Sequence, residues 1–157
     1  QREYPDTDNI RGHKWLLTAP VWEVQTRLRC HEPIQMGRKA VLQPNGIIQI
    51  LEGFTWDGPS GPTVDTENWL RASAFHDALY RGLKLKLFDG HQVWLVEDPK
   101  TYLEHSDIRK VADDLMYNVL IQDDMHGFRA WYSWAAVRLS PWAAWAGWPW
   151  RCFNRSM

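Results

Sequence analysis

Between Gly53 and Tyr80, in the stretch GFTWDGPSGPTVDTENWLRASAFHDALY, the sequence changes period. Upstream, apolar residues alternate with polar ones, as on half-buried strands. Downstream, they recur every three or four residues, as on helices. This switch commits the chain to an α+β fold, with antiparallel strands first and helices after them. The connection is stiffened by Pro59 and Pro62 and given conformational freedom by Gly53, Gly58 and Gly61. It carries one acid, Asp57, and leads into a helix that Asp65 or Thr66 can cap, on which His76 and Asp77 are adjacent.

The upstream part supplies about four strands in a meander of hairpins. Alternation at Trp22, Val24 and Thr26 marks one strand, set off by Ala19-Pro20. Cys30 to Met36 reads as a loop. The clearest signal is the hairpin from Lys39 to Leu51, whose halves KAVLQ and IIQIL flank the turn Pro44-Asn45-Gly46. The first helix is expected over Thr66–Arg81, with Ala72, Phe75 and Leu79 facing the core. An extra hairpin should follow it, with LKLKLF and HQVWLVE turning at Asp89-Gly90 and ending at Asp98-Pro99. A second helix is expected from Ser106 to Gln122. On it Asp113 borders the apolar arc and Asp114 points toward water. A third, Phe128–Leu139, gathers Phe128, Trp131, Tyr132, Ala135 and Leu139 on one face and ends at Pro141.

The chain of 157 residues is the size of one domain and long enough to bury about two thirds of its unfolded surface. Within it, residues 1–13 form a loose or docked arm, 14–140 the core, and 141–157 a tryptophan-rich tail. A net charge of −1 for the whole chain leaves no electrostatic footprint for nucleic acid or an anionic membrane. Two cysteines, Cys30 and Cys152, make neither a disulfide framework nor a zinc site, and they could pair only if the two ends of the fold meet.

Three motifs together carry a resemblance: the loop Gly53-Phe54 with Asp57-Gly58-Pro59-Ser60, the element His76-Asp77-Ala78-Leu79-Tyr80, and the pair Ala112-Asp113 ahead of Leu115-Met116-Tyr117. In this order they resemble the phage and prophage family known as domain of unknown function 1353. The resemblance covers roughly residues 14–140 and departs at the segment between Gly82 and Glu104 and at the tryptophan run. It implies a fold and a phage context, hence a setting in the host cytoplasm or the virion. The polar opening Gln1–Gly12, with no apolar core, carries no expectation of a signal peptide. It implies no settled chemistry.

The residues themselves suggest two chemistries. Asp57, His76, Asp77 and Asp113 bring one imidazole and three carboxylates from separate elements. That set suits a divalent metal ion, or a general base held by an acid. Adjacent His-Asp residues flank an ion in the HD phosphohydrolases. Those are all-helical and need a further upstream histidine where this chain has strands, so membership is rejected and the chemistry is kept. The structural alternative is that Asp57 caps a turn while His76 and Asp113 form a buried hydrogen-bonded pair locking two helices together. Ser60 and Ser73 are weak nucleophile candidates, because the elbow sequence is absent and Ser73 lies in mid-helix. Cys30 beside His31 is weaker still.

The tail adds four tryptophans between Trp142 and Trp150. Tryptophans near arginines fit a membrane interface. The favoured reading is a tail folded over the sheet, with Trp142 and Trp145 packed and Trp148 and Trp150 exposed. The expectation for the whole is a non-catalytic accessory or virion-associated protein with a protein partner. A metal-assisted hydrolase acting on a cell-wall or phosphate-bearing substrate is the alternative.

Overall fold

The computed structural model describes residues 7–9, 15–57 and 67–145, with the backbone alone at 8–9, 67–68 and 140–145. Eight short strands precede the first helix: β1 Thr7–Asn9, β2 Trp15–Leu17, β3 Val21–Gln25, β4 Leu28–Cys30, β5 Ile34–Gln35, β6 Ala40–Leu42, β7 Ile47–Leu51 and β8 Thr55–Trp56. Helix α1 spans Glu67–Lys84. Strands β9 Val93–Leu95 and β10 Asp98–Tyr102 come next, then helices α2 His105–Gln122 and α3 Gly127–Trp145. The strands form three antiparallel sheets in the orders β1-β2-β8, β3-β7-β6-β5 and β4-β9-β10. The expected α+β order, with antiparallel sheets first and three helices after, is the observed one.

The central hairpin is built as its sequence dictates. Val41 faces Gln49 and Leu42 faces Ile48, and β3 pairs along the other side of β7, Val24 against Ile48. Alternation then buries Ile48 and Ile50 while Ile47 and Gln49 stay half-buried. The turn closes with the Gly46 amide donating to the Gln43 carbonyl at 2.9 Å. Gly46 stands at φ +87°, where an added Cβ would run into the carbonyl oxygens of Leu28 and Thr26. Thr26 locks the same corner, its hydroxyl donating to the Gly46 carbonyl at 2.7 Å and accepting from the Leu28 amide at 3.1 Å.

Several boundaries depart from the sequence expectation. Ile34–Gln35, read as loop, pairs with β6, because a two-residue strand is too short to show a period. The arm is docked at Thr7–Asn9, which pairs with β2. The alternation in LKLKLF does not make a strand. Instead α1 ends there in a Schellman motif, with the Lys86 amide bonded to the Leu83 carbonyl and the Leu87 amide to the Gly82 carbonyl. Lys86 takes the left-handed position at φ 56° that glycine usually fills. The extra hairpin therefore forms later, β9 pairing with β10 around a turn at Val96-Glu97 so that Asp98 faces Leu95, and β9 also pairs with β4. Helix α2 is capped at Glu104 rather than Ser106, the Glu104 amide donating to the Asp107 carboxylate at 3.0 Å. Pro141 does not end α3, which continues to Trp145. A proline removes one helical N–H donor, but Trp142-Ala143-Ala144 beyond it are able to carry the helix on.

Helix α1 is buried on almost every side, from Trp69 and Leu70 to Ala78 and Leu79, because the sheets cover one face and α2 the other. The Trp56 indole donates to the Ser73 hydroxyl at 3.0 Å, which itself donates back to the Leu70 carbonyl at 3.0 Å. Arg81 donates to the Thr55 carbonyl at 2.7 Å and lies over the Phe54 ring. Helix α2 packs between α1 and α3. These contacts fix the face of α1 that carries His76 against α2.

Candidate functional site: a buried carboxylate among three helices

Asp113 lies on the border of the buried arc of α2, and 1% of it is exposed, whereas Asp114 next to it faces water. A carboxylate so deep needs donors on both oxygens. Oδ1 faces His76 Nε2 at 3.0 Å and accepts from the Tyr80 hydroxyl at 2.8 Å. Both come from α1, and their spacing of four residues puts them on one stripe of the helix. Their rings lie against each other with centroids 4.2 Å apart. Oδ2 accepts from Arg138 of α3 at 3.3 Å. Arg109, one turn before Asp113 on α2, donates to the Tyr80 oxygen at 3.1 Å and closes the network.

His76 therefore sits between two carboxylates. Its Nε2 meets Asp113, and its Nδ1 lies 3.7 Å from Asp77. Burial opposes a charge on the imidazole, but the hydrogen bond to Asp113 and the nearby Asp77 carboxylate outweigh it, and the pKa lies above the usual histidine value. Burial likewise pushes the Asp113 carboxyl up, yet the donors His76, Tyr80 and Arg138 prevail and hold it below the usual range. The Tyr80 phenol is pushed up to about 12, by burial first and by the Asp113 carboxylate after it. The Asp113 carboxylate thus gathers an imidazole whose charged form the site favours, a neutral phenol and, through Arg138 and Arg109, two guanidinium groups.

Of the four residues singled out by sequence, His76, Asp77 and Asp113 come together. Asp57 is exposed after β8, and none of the network's hydrogen bonds among the described residues reaches it. Among those residues no group of three or more His, Cys, Asp or Glu side chains is placed to hold a metal ion. Ser73 is spent between Trp56 and Leu70. Cys30 is buried and its thiol is pushed up by that burial and by Glu32, while the His31 ring stacks instead near Trp94 at 4.7 Å. Ser60, Cys152, Trp148 and Trp150 lie outside the described residues, as do the side chains of Trp142 and Trp145.

Sequence reasoning missed Tyr80, Arg109 and Arg138. Two of them had a local signal: Tyr80 is four residues after His76 and Arg109 four before Asp113, each one helical turn away. Arg138 had none, because its partner lies 25 residues upstream on another helix. No family model, no curated protein and no solved structure matches the chain.

Proposed function

We propose that this chain is a non-catalytic accessory protein that works by docking, as the phage context of its motifs would suit. The observation that carries the reading is the closure of the Asp113 carboxylate. Both oxygens are taken by side chains of α1 and α3, and both nitrogens of its histidine partner face carboxylates. A general base needs one ring nitrogen free toward the substrate, and a metal ligand needs a free lone pair. Here the same groups hold three helices in register. A satisfied ionic cluster of this kind adds little net stability over an apolar core, yet it penalises every arrangement that separates its members. It suits a scaffold whose helices must present a fixed outer surface.

The test is metal-dependent stabilisation. A ligand at about a hundred times its dissociation constant raises stability by about 2.7 kcal/mol. Thermal melts of the full chain with zinc, manganese or magnesium, against melts with a chelator, should coincide. A metal-dependent rise that Asp57→Ala and His76→Gln both abolish would instead support the hydrolase, with Asp57 moving in to complete the site.

A further inference from the structure

Helix α3 is turned opposite to what an amphipathic helix in a small domain usually shows. Its inner side packs on α2 through small and polar residues: Ala130 and Ser133 are buried, the Trp134 indole donates to Asp114 at 3.1 Å, and Arg138 reaches Asp113. Its apolar stripe faces outward. Phe128 is 70% exposed, Trp131 52%, Tyr132 47% and Leu139 62%, and the Phe128 and Trp131 rings lie 6.2 Å apart. Eleven residues separate Phe128 from Leu139, close to three turns, so these side chains share one arc. A stripe of large rings left in water is an interaction surface, since isolated domains seldom expose one.

Charge identifies what it meets. From Gly127 to Met157 the sequence holds Arg129, Arg138, Arg151 and Arg155 and no aspartate or glutamate. These four positive charges, of which Arg138 is engaged by Asp113, leave the preceding residues at −5 against a total of −1. The same stretch holds six of the eleven tryptophans. An anionic lipid surface disfavours carboxylates over these 31 residues, and it rewards tryptophan and tyrosine at headgroup depth. No helix among the described residues is long and apolar enough to cross a membrane.

We propose that α3 lies flat on an anionic membrane, with Phe128, Trp131, Tyr132 and Leu139 set among the headgroups and acyl boundary. The helix is about 28 Å long at 1.5 Å per residue, so the stripe runs parallel to the surface. The contacts with Asp113 and Asp114 hold its orientation before binding. This rests on the docking reading and names the partner.

The experiment is flotation of the full chain with phosphatidylcholine vesicles made with and without phosphatidylglycerol. The chain should float with the anionic vesicles, less so as salt is raised, and poorly with phosphatidylcholine alone. The combined variant Phe128→Ser, Trp131→Ser, Leu139→Ser should partition about a hundredfold more weakly, with an unchanged circular dichroism spectrum. Arg151→Glu with Arg155→Glu should remove the preference for anionic lipid. No flotation with either vesicle, or binding indifferent to both variants, overturns the proposal. Concentration-dependent self-association that the triple variant abolishes would assign the stripe to a second copy, overturning the lipid assignment while leaving the docking reading intact. Metal-dependent stabilisation would fail the docking reading whatever the vesicles show.

Discussion

Asp113 decides what the cluster is for, because each partner treats it differently. Tyr80 gives it a neutral hydrogen bond and in return accepts one from Arg109. Tyr80→Phe should therefore cost about 1–1.5 kcal/mol in urea unfolding, the net value of a lost hydrogen bond with some water replacing it. His76 couples it to pH. The imidazole pKa lies above its unfolded value of 6.5, so its contribution is full below that pH and is lost as pH rises through the folded value. The Asp113 carboxyl lies below its unfolded 3.8, so its contribution is present above that pH and is lost only on acidification through the lower folded value. Stability should be highest between these two limits and decline on either side, and unfolding curves taken from about pH 2 to about pH 9 check both directions. In His76→Gln the alkaline decline should flatten, since glutamine keeps a donor and does not titrate. A decline of the same size in that variant would place its origin elsewhere.

At the scale of elements, helix ends are where chemistry and sequence part most. Both α1 and α2 close in Schellman motifs: Lys86 stands at φ 56°, and after α2 the Asp124 and Met125 amides bond to the Ile121 and Leu120 carbonyls with Asp124 at φ 61°. Neither position is glycine, although a left-handed non-glycine residue costs about 1 kcal/mol. Lys86→Gly and Asp124→Gly should each raise stability by about 0.5–1 kcal/mol, visible as a later melting midpoint. Gly46→Ala should do the reverse and cost more than 1 kcal/mol, since a side chain at φ +87° is strained and meets two carbonyl oxygens. These positions also explain what the sequence could and could not tell. The Pro44-Asn45-Gly46 hairpin was legible because turn chemistry and alternation agree there. The end of α1 was not, because a lysine occupies the glycine position and LKLKLF imitates a strand. Strands of two or three residues, such as Ile34–Gln35, carry no period to read. The inward turn of Asp113 followed from helical phase alone, but Arg138 could be placed only once α2 and α3 were seen together.

For the molecule as a whole, the cluster is a polar place where side chains of all three helices meet, and it fixes the outward face of α3. A lock and an active site respond oppositely to the loss of their central acid. Catalytic carboxylates are commonly held at some cost to stability, so neutralising one leaves the fold unchanged or firmer. A buried structural carboxylate, once neutralised, leaves its cations uncompensated. Asp113→Asn preserves shape and removes only the charge, leaving the buried His76 and the half-buried Arg138 without it. The direct measurement is equilibrium urea unfolding of Asp113→Asn beside the parent at neutral pH. The expected result is a loss of about 3–5 kcal/mol with the slope unchanged; a variant as stable as the parent, or more so, would contradict the lock and return the cluster to catalysis.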